Sequence, residues 1–318
     1  MHTTPSTESH TGRIVRGVAY GAGAGALWGL VFLAPVLLPA FNGLDMAVGR
    51  YLAYGLISLV LIRPRLRAIR GRLHRTDWLT LAGLALLGNT LYYVLLTTAV
   101  QTAGIALTTL IIGFLPVAVT VIGSRDHDAV PLVRLAPSLW LCAAGIACIG
   151  GQGVLGLANT AKGWLGMACA VGALASWTAF AVWNSRCLKR LDHISSDDWN
   201  LLTGLVTGAQ ALLLSPALLF DHTRHTAIAW SQLAALSIAV ALVASIAGNA
   251  LWNRMSRLLP LTLAGQMILF ETVFALLYGF IWEHRFPTLL ETAAFACVVA
   301  GVTTCVAAHR PPKPQKSQ

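Results

Sequence analysis

The feature that most constrains this chain is a series of apolar runs that recur along nearly its whole length, with almost nothing long and polar between them. A hydrocarbon core of about 30 Å needs about 20 apolar helical residues to cross it. Ten such runs can be read, at 17–40, 46–62, 78–98, 103–123, 135–154, 163–185, 199–220, 230–252, 260–282 and 288–308. Their breaks carry polar or kinked punctuation: Phe41-Asn42-Gly43, Arg63-Pro64-Arg65, Arg125 to Asp128, Asp221 to Arg224, and Arg285-Phe286-Pro287. The runs are continuous and lack two-residue alternation, so helices are expected rather than barrel strands. The first run is too long for the apolar region of a signal peptide and reads as an uncleaved anchor. Only 11% of residues are charged, against about 25% in soluble domains.

The net charge of +10 follows from topology. Cytoplasmic loops retain Lys and Arg. With the N-terminus inside, the inner segments hold Arg13, Arg16, six arginines from Arg63 to Arg75, Arg125, Arg134, Arg186, Lys189, Arg190, Arg254, Arg257, Arg310, Lys313 and Lys316. The outer loops hold only Lys162, Arg224 and Arg285, and Arg50 lies within a span. This asymmetry places both termini in the cytoplasm and requires an even number of spans. The lipid bilayer, and not nucleic acid, is the partner that the basic charge implies.

Short echoes link the two halves. Gly88-Asn89-Thr90-Leu91-Tyr92-Tyr93 returns as Gly248-Asn249-Ala250-Leu251-Trp252-Asn253. Gly25-Ala26-Leu27 with Trp28 returns as Gly172-Ala173-Leu174 with Trp177. Five spans per half is odd, so the second half enters the membrane with opposite polarity. The expectation is an all-α integral membrane fold of ten transmembrane helices in two inverted five-helix repeats, with a substrate site between them. Residues 1–16 form a cytoplasmic tail, 17–154 the first repeat, 163–308 the second, and 309–318 a second cytoplasmic tail. The proline-rich stretch Pro311 to Pro314 is expected to be disordered.

Several short motifs occur in the order found in the drug/metabolite transporter superfamily, in its EamA-domain branch. Leu91-Tyr92-Tyr93 through Gln101, then Ala106-Leu107 and Leu115-Pro116-Val117, resemble that domain's third and fourth helices. Arg50-Tyr51-Leu52 resembles the opening of its second helix, and Gly279 through Glu283-His284-Arg285 the end of its ninth. The resemblance covers about residues 17–308 and implies two EamA-like repeats and a transport function. Two positions depart from the pattern. Glu271 stands where the ninth helix usually has a proline matching Pro116, and Gly123-Ser124-Arg125 replaces the usual glutamate that ends the fourth.

Glu271 is the most informative residue. At 1.5 Å per residue it lies about 16 Å into its span, near the bilayer midplane. A charged group there costs about 2.5–3.5 kcal/mol, so such groups face a bundle interior or a wet cavity. Helical spacing places Ala264, Met267, Ala275 and Tyr278 on its face. Three readings stay open: a proton-coupling carboxylate, a counter-charge to a substrate ammonium, or a protonated carboxyl bonded to a neighbouring helix. Arg50 either snorkels to the nearby interface, meets a substrate carboxylate, or interacts with Glu271 through the cavity. Asn89, Tyr92, Tyr93, Trp28, Trp177, Asn249 and Trp252 form a candidate lining of apolar walls with few orienting polar groups. The same aromatics also suit interface belts or packing, and the two asparagines also suit helix–helix hydrogen bonds. Gly21, Gly23, Gly25 and Gly29 permit close helix contact.

The remaining chemistry is sparse. Six cysteines show no metal-ligand or redox spacing, and most histidines lie in loops or tails. No metalloprotease, nucleophile-elbow, P-loop or dinucleotide motif occurs. No catalytic residue, cofactor or metal is implied, and no ATPase domain is present. The leading reading is a secondary transporter, an exporter of amino acids or amphipathic and aromatic compounds across the bacterial inner membrane, with protons as candidate coupling ion. The alternative is an intramembrane enzyme acting on lipids or small molecules. That alternative calls for clustered His, Asp, Glu or Ser at one depth, and only Glu271 stands out. Monomer and homodimer remain equally open.

Overall fold

The computed structural model describes residues 10–38, 40–126, 129–150, 161–216, 225–282, 284 and 286–309. The expectations for the tail at Pro311 to Pro314, for Glu283 and Arg285, and for the loop Asp221 to Arg224 lie outside them. Every regular element among the described residues is helical.

The first half comprises α1 (His10–Gly29), a 3-10 turn (Leu30–Leu33), α2 (Ala34–Leu37), α3 (Gly43–Ile62), α4 (Leu66–Arg70), α5 (Arg75–Ala85), α6 (Leu91–Ile112), α7 (Leu115–Gly123) and α8 (Leu132–Gly150). The second comprises α9 (Ala161–Arg190), α10 (Ser196–Leu214), α11 (Ala227–Val240), α12 (Asn249–Leu258), α13 (Leu261–Met267), α14 (Leu269–Trp282) and α15 (Leu289–Ala308). Wide π-helical stretches at Leu86–Thr90 and Ala241–Gly248 join α5 to α6 and α11 to α12.

Among the described residues, five helical runs are long and apolar enough to cross a membrane: Gly43–Ile62, Arg75–Ala99, Lys162–Arg190, Ala227–Leu258 and Leu261–Trp282. The outward faces carry Leu56, Val60, Val133, Trp140 and Leu213. Apolar surface of this extent suits lipid and not water. The chain is an all-helical, multi-pass integral membrane protein.

Helix starts follow local chemistry. Asn42 Oδ1 accepts from the Leu44 and Asp45 N–H groups at 2.8 and 3.0 Å, and Asp45 accepts from the Asn42 N–H at 3.0 Å. This reciprocal cap satisfies donors that open α3. Ser195 caps α10 by accepting from the Asp198 N–H at 3.0 Å, satisfying one of the donors that open the helix.

Several expected spans differ from the continuous helices read in the sequence: 17–40 passes through the 3-10 turn Leu30–Leu33, and 78–98 and 230–252 through the two π-helical stretches. Helix α6 continues past residue 98, where a break was expected, and ends instead at Gly113-Phe114, inside the expected span 103–123. Pro116 occupies the opening turn of α7. A proline is accommodated in a first turn but disrupts a helix interior, which puts the break just ahead of it. The expected span 260–282 is likewise interrupted at Ile268. The Glu271 N–H there bonds to the Ile268 carbonyl at 3.0 Å, a tightened three-residue turn.

Charged groups gather around the α9–α10 corner. Arg190 pairs with Asp77 at 2.7 Å, Arg186 with Asp126 at 2.6 Å, Arg65 with Asp198 at 2.9 Å and Arg254 with Asp197 at 2.6 Å. An Arg257 N–H donates to the carbonyls of Leu191 and Ile194. Beneath them, the Trp199 indole donates to Asn184 Oδ1 at 2.8 Å, and Asn184 Nδ2 donates to Asn253 Oδ1 at 3.0 Å.

Candidate substrate site

The break at Ile268 positions Glu271 in the first turn of α14. Its backbone lies hard against α1, because a Cβ added at Gly25 would stand 2.7 Å from the Glu271 nitrogen and 2.6 Å from the Phe270 Cβ. Glycine is therefore what lets α1 reach the broken turn. The break also corrects the expected helix face. Ala264 and Met267 belong to α13, which is buried throughout, whereas Glu271 is half-buried on the next helix.

Helix α13 is held by a polar knot. Gln266 Nε2 donates to Thr120 Oγ1 at 3.0 Å, and Thr120 Oγ1 donates to the Thr262 carbonyl at 3.1 Å. Cys142 donates its S–H to Gln266 Oε1 at 3.1 Å. Glu271 has no comparable support. Among the described residues its side chain makes no hydrogen bond or ion pair, and the charged group within electrostatic reach is Arg50. The Tyr92 phenol shares that field.

Arg50 turns inward. Its Nε donates to Ser245 Oγ at 3.1 Å, and its guanidinium carbon stands 5.3 and 5.9 Å from the ring centres of Tyr51 and Tyr93. Cation–π contacts of this range hold a guanidinium away from water at modest cost. The snorkelling alternative does not describe this arrangement.

Three tryptophans from three helices meet in the core. Trp28 lies 5.2 Å from Trp252 and 6.2 Å from Trp177, while Trp177 and Trp252 are 5.4 Å apart. Tyr92 joins at 6.5 Å and Phe180 at 5.7 Å, both against Trp177. The Trp28 indole donates to Asn249 Oδ1 and to the Ala244 carbonyl, each at 3.1 Å. The Trp252 indole N–H is buried with no partner among the described residues. Such a donor costs about 1–3 kcal/mol when left unmet, and an acceptor on a bound solute is one way to meet it.

The structure brings together Trp28, Trp177, Trp252, Tyr92 and Asn249, and joins Arg50 with Tyr93. Asn89 stands apart from the tryptophans, donating to Thr207 Oγ1 at 3.1 Å. Tyr278 donates to the Ala26 carbonyl at 3.1 Å and lines a cleft with Leu33, Ile281, Trp282 and His284. Tyr51, Ser245 and Phe180 were not among the candidate residues. Tyr51 could have been found as the neighbour of Arg50 in the same motif; Ser245 and Phe180 carry no local signal.

The class of this helical membrane bundle follows from its similarity to known proteins. The EamA-like transporter family matches twice, over residues 15–150 and 164–306. The chain belongs to the EamA-like transporter family, and it is a membrane transporter of small molecules. It is similar to the inner membrane protein YtfF of Escherichia coli (strain K12), 33% identical over 319 residues, covering 95% of this chain and 98% of that protein. A solved crystal structure at 17% identity matches with a TM-score of 0.71 over 91% of this chain and 97% of the other, which speaks for the fold alone.

Proposed function

We propose that the chain is a secondary transporter that exports small metabolites, such as amino acids or amphipathic and aromatic compounds, across the bacterial inner membrane by alternating access. Ten transmembrane helices in two inverted repeats, 17–154 and 163–308, carry the motion. The two family matches support this division. So do the paired π-helical stretches, each ending at or just beyond a Gly-Asn pair, and the paired breaks near Pro116 and Glu271. The arginine-rich ends face the cytoplasm, in keeping with the charge asymmetry and with the location in the name of the relative YtfF.

One observation carries the reading: among the described residues, Glu271 inside the bundle makes no hydrogen bond or ion pair of its own. A charge at that depth is too costly to retain for packing alone. It serves as the counter-charge or proton carrier of the site. A solute with an ammonium and a carboxylate finds Glu271 and Arg50 as opposite poles, and its apolar body meets the tryptophans. Proton and cationic solute then compete for one carboxylate, which couples export to proton entry.

The test is flux in proteoliposomes of known orientation, with labelled amino acids and cationic aromatic compounds, with and without an imposed pH gradient. The wild type is expected to respond to the gradient, and Glu271→Gln to lose that response. Equal gradient response in the two proteins would remove Glu271 from the mechanism. Orientation in the vesicles reads the direction.

A further inference from the structure

The two π-helical stretches are clasped reciprocally. In the first, Leu86–Thr90, the Leu87 carbonyl accepts from Ser176 Oγ of α9 at 2.8 Å, and the nearby Ala82 carbonyl accepts from Gln210 Nε2 of α10 at 3.0 Å. The Tyr51 hydroxyl of α3 approaches the Asn89 carbonyl at 3.4 Å. In the second, Ala241–Gly248, the Ala244 carbonyl accepts from the Trp28 indole of α1 at 3.1 Å, and Ser245 Oγ accepts from Arg50 Nε of α3 at 3.1 Å. The Ile246 carbonyl accepts from Asn200 Nδ2 of α10 at 2.8 Å. Each stretch is thus held by the first long helix of the other half and by both α3 and α10. The glycines repeat the pattern. A Cβ on Gly88 would meet the Phe180 ring of α9 at 2.4 Å, and one on Gly248 would meet the Trp28 indole nitrogen of α1 at 2.7 Å.

A π-helical turn carries an extra residue and frees backbone groups that other partners must satisfy. Reverting one such turn to α geometry re-registers the helix beyond it by about 1.5 Å and 100°. We propose that Leu86–Thr90 and Ala241–Gly248 are the paired hinges of the transport cycle, and that Ser176, Gln210, Trp28 and Asn200 are positioning residues that hold them in the state seen here. Each half therefore keeps the other's hinge set, and movement of one half releases the hinge of the other. The inference rests on the two-half transporter reading above.

Cys187 supplies a native probe. Its thiol is buried beside Arg190, which pairs with Asp77 of the other half. Parting of the halves at this end uncovers it. A chain keeping Cys187 as its single cysteine is labelled with a membrane-impermeant maleimide from the arginine-rich side. Ser176→Ala with Gln210→Met, and separately Trp28→Phe with Asn200→Leu, each remove several hydrogen bonds that reach the stretches and their neighbours. Each pair is expected to speed labelling about tenfold or more, since every ordinary bond lost removes a modest net stabilisation. Ser176→Thr, which keeps the hydroxyl, is expected to label at the unsubstituted rate. Size-exclusion and circular dichroism profiles matching the unsubstituted chain show that the variants are folded. Unchanged labelling in both folded double variants overturns the hinge assignment and leaves the two-half transporter reading standing. Acceleration in only one overturns the pairing. A Cys187 that never labels in the unsubstituted chain sinks the two-state reading and the hinges with it.

Discussion

The α9–α10 corner and the turn around Glu271 treat charge in opposite ways. At the corner, Asp77 is almost fully buried, yet it holds Arg190 at 2.7 Å and caps α5 by accepting from the His74 N–H at 3.0 Å. Among the described residues, the Glu271 side chain makes no hydrogen bond or ion pair and has Arg50 and the Tyr92 phenol within electrostatic reach. A buried charge that is paired and capped is satisfied in the state at hand and contributes to holding it. One left without partners is costly, and it persists where another species completes it during function. The comparison separates residues that hold the bundle from residues that serve what passes through it.

Several measurements can break or sharpen that contrast. The largest expected effect is the loss of gradient response in Glu271→Gln, with thermal stability in detergent close to that of the wild type, because the substitution breaks no hydrogen bond or ion pair among the described residues. A clear fall in stability would make Glu271 a structural residue like Asp77. Next, Asn184→Leu strands the Trp199 indole donor and the Asn253 amide oxygen. It should cost about 1–3 kcal/mol of stability, read as a lower midpoint in detergent, without altering the solute selectivity of surviving protein. Asp77→Ala removes both a helix cap and an ion pair to a largely exposed arginine. A loss of about 1–2 kcal/mol is expected, most of it from the cap. Smallest is Asp126→Asn: its partner Arg186 is 54% exposed, and such pairs contribute about 0–1 kcal/mol. A large effect there would mean that the corner is energetically a gate rather than a set of surface pairs.

Much of this was legible in the chain itself. Membrane class follows from run length alone, and the family from the order of weak motifs. Glu271 announces itself because few sequences place a carboxylate amid Leu269-Phe270 and Thr272-Val273-Phe274. The Gly-Asn echoes pointed to matching places in the two halves, where the structure has its π-helical stretches. Those stretches were invisible because neither Leu86–Thr90 nor Ala241–Gly248 contains a helix breaker other than a single glycine. They are imposed by contacts from distant helices, through Ser176, Gln210, Trp28 and Asn200. The interruption at Ile268 was hidden for the same reason: Leu261 to Trp282 reads as one apolar helix, and its break belongs to packing against Gly25 and Thr120. Asn89 and Asn249, twins in sequence, part company in space because one faces Thr207 and the other Trp28.

The most direct test of the central claim compares carboxylates chemically. Dicyclohexylcarbodiimide attacks protonated carboxyl groups in apolar surroundings and spares ion-paired ones. Applied to the folded protein and mapped by mass spectrometry, it should form its adduct at Glu271, be slowed there by a transported solute, and leave Asp77, Asp126, Asp197 and Asp198 unmodified. No adduct at Glu271, or equally fast modification of the paired aspartates, would contradict the distinction between a held charge and a waiting one.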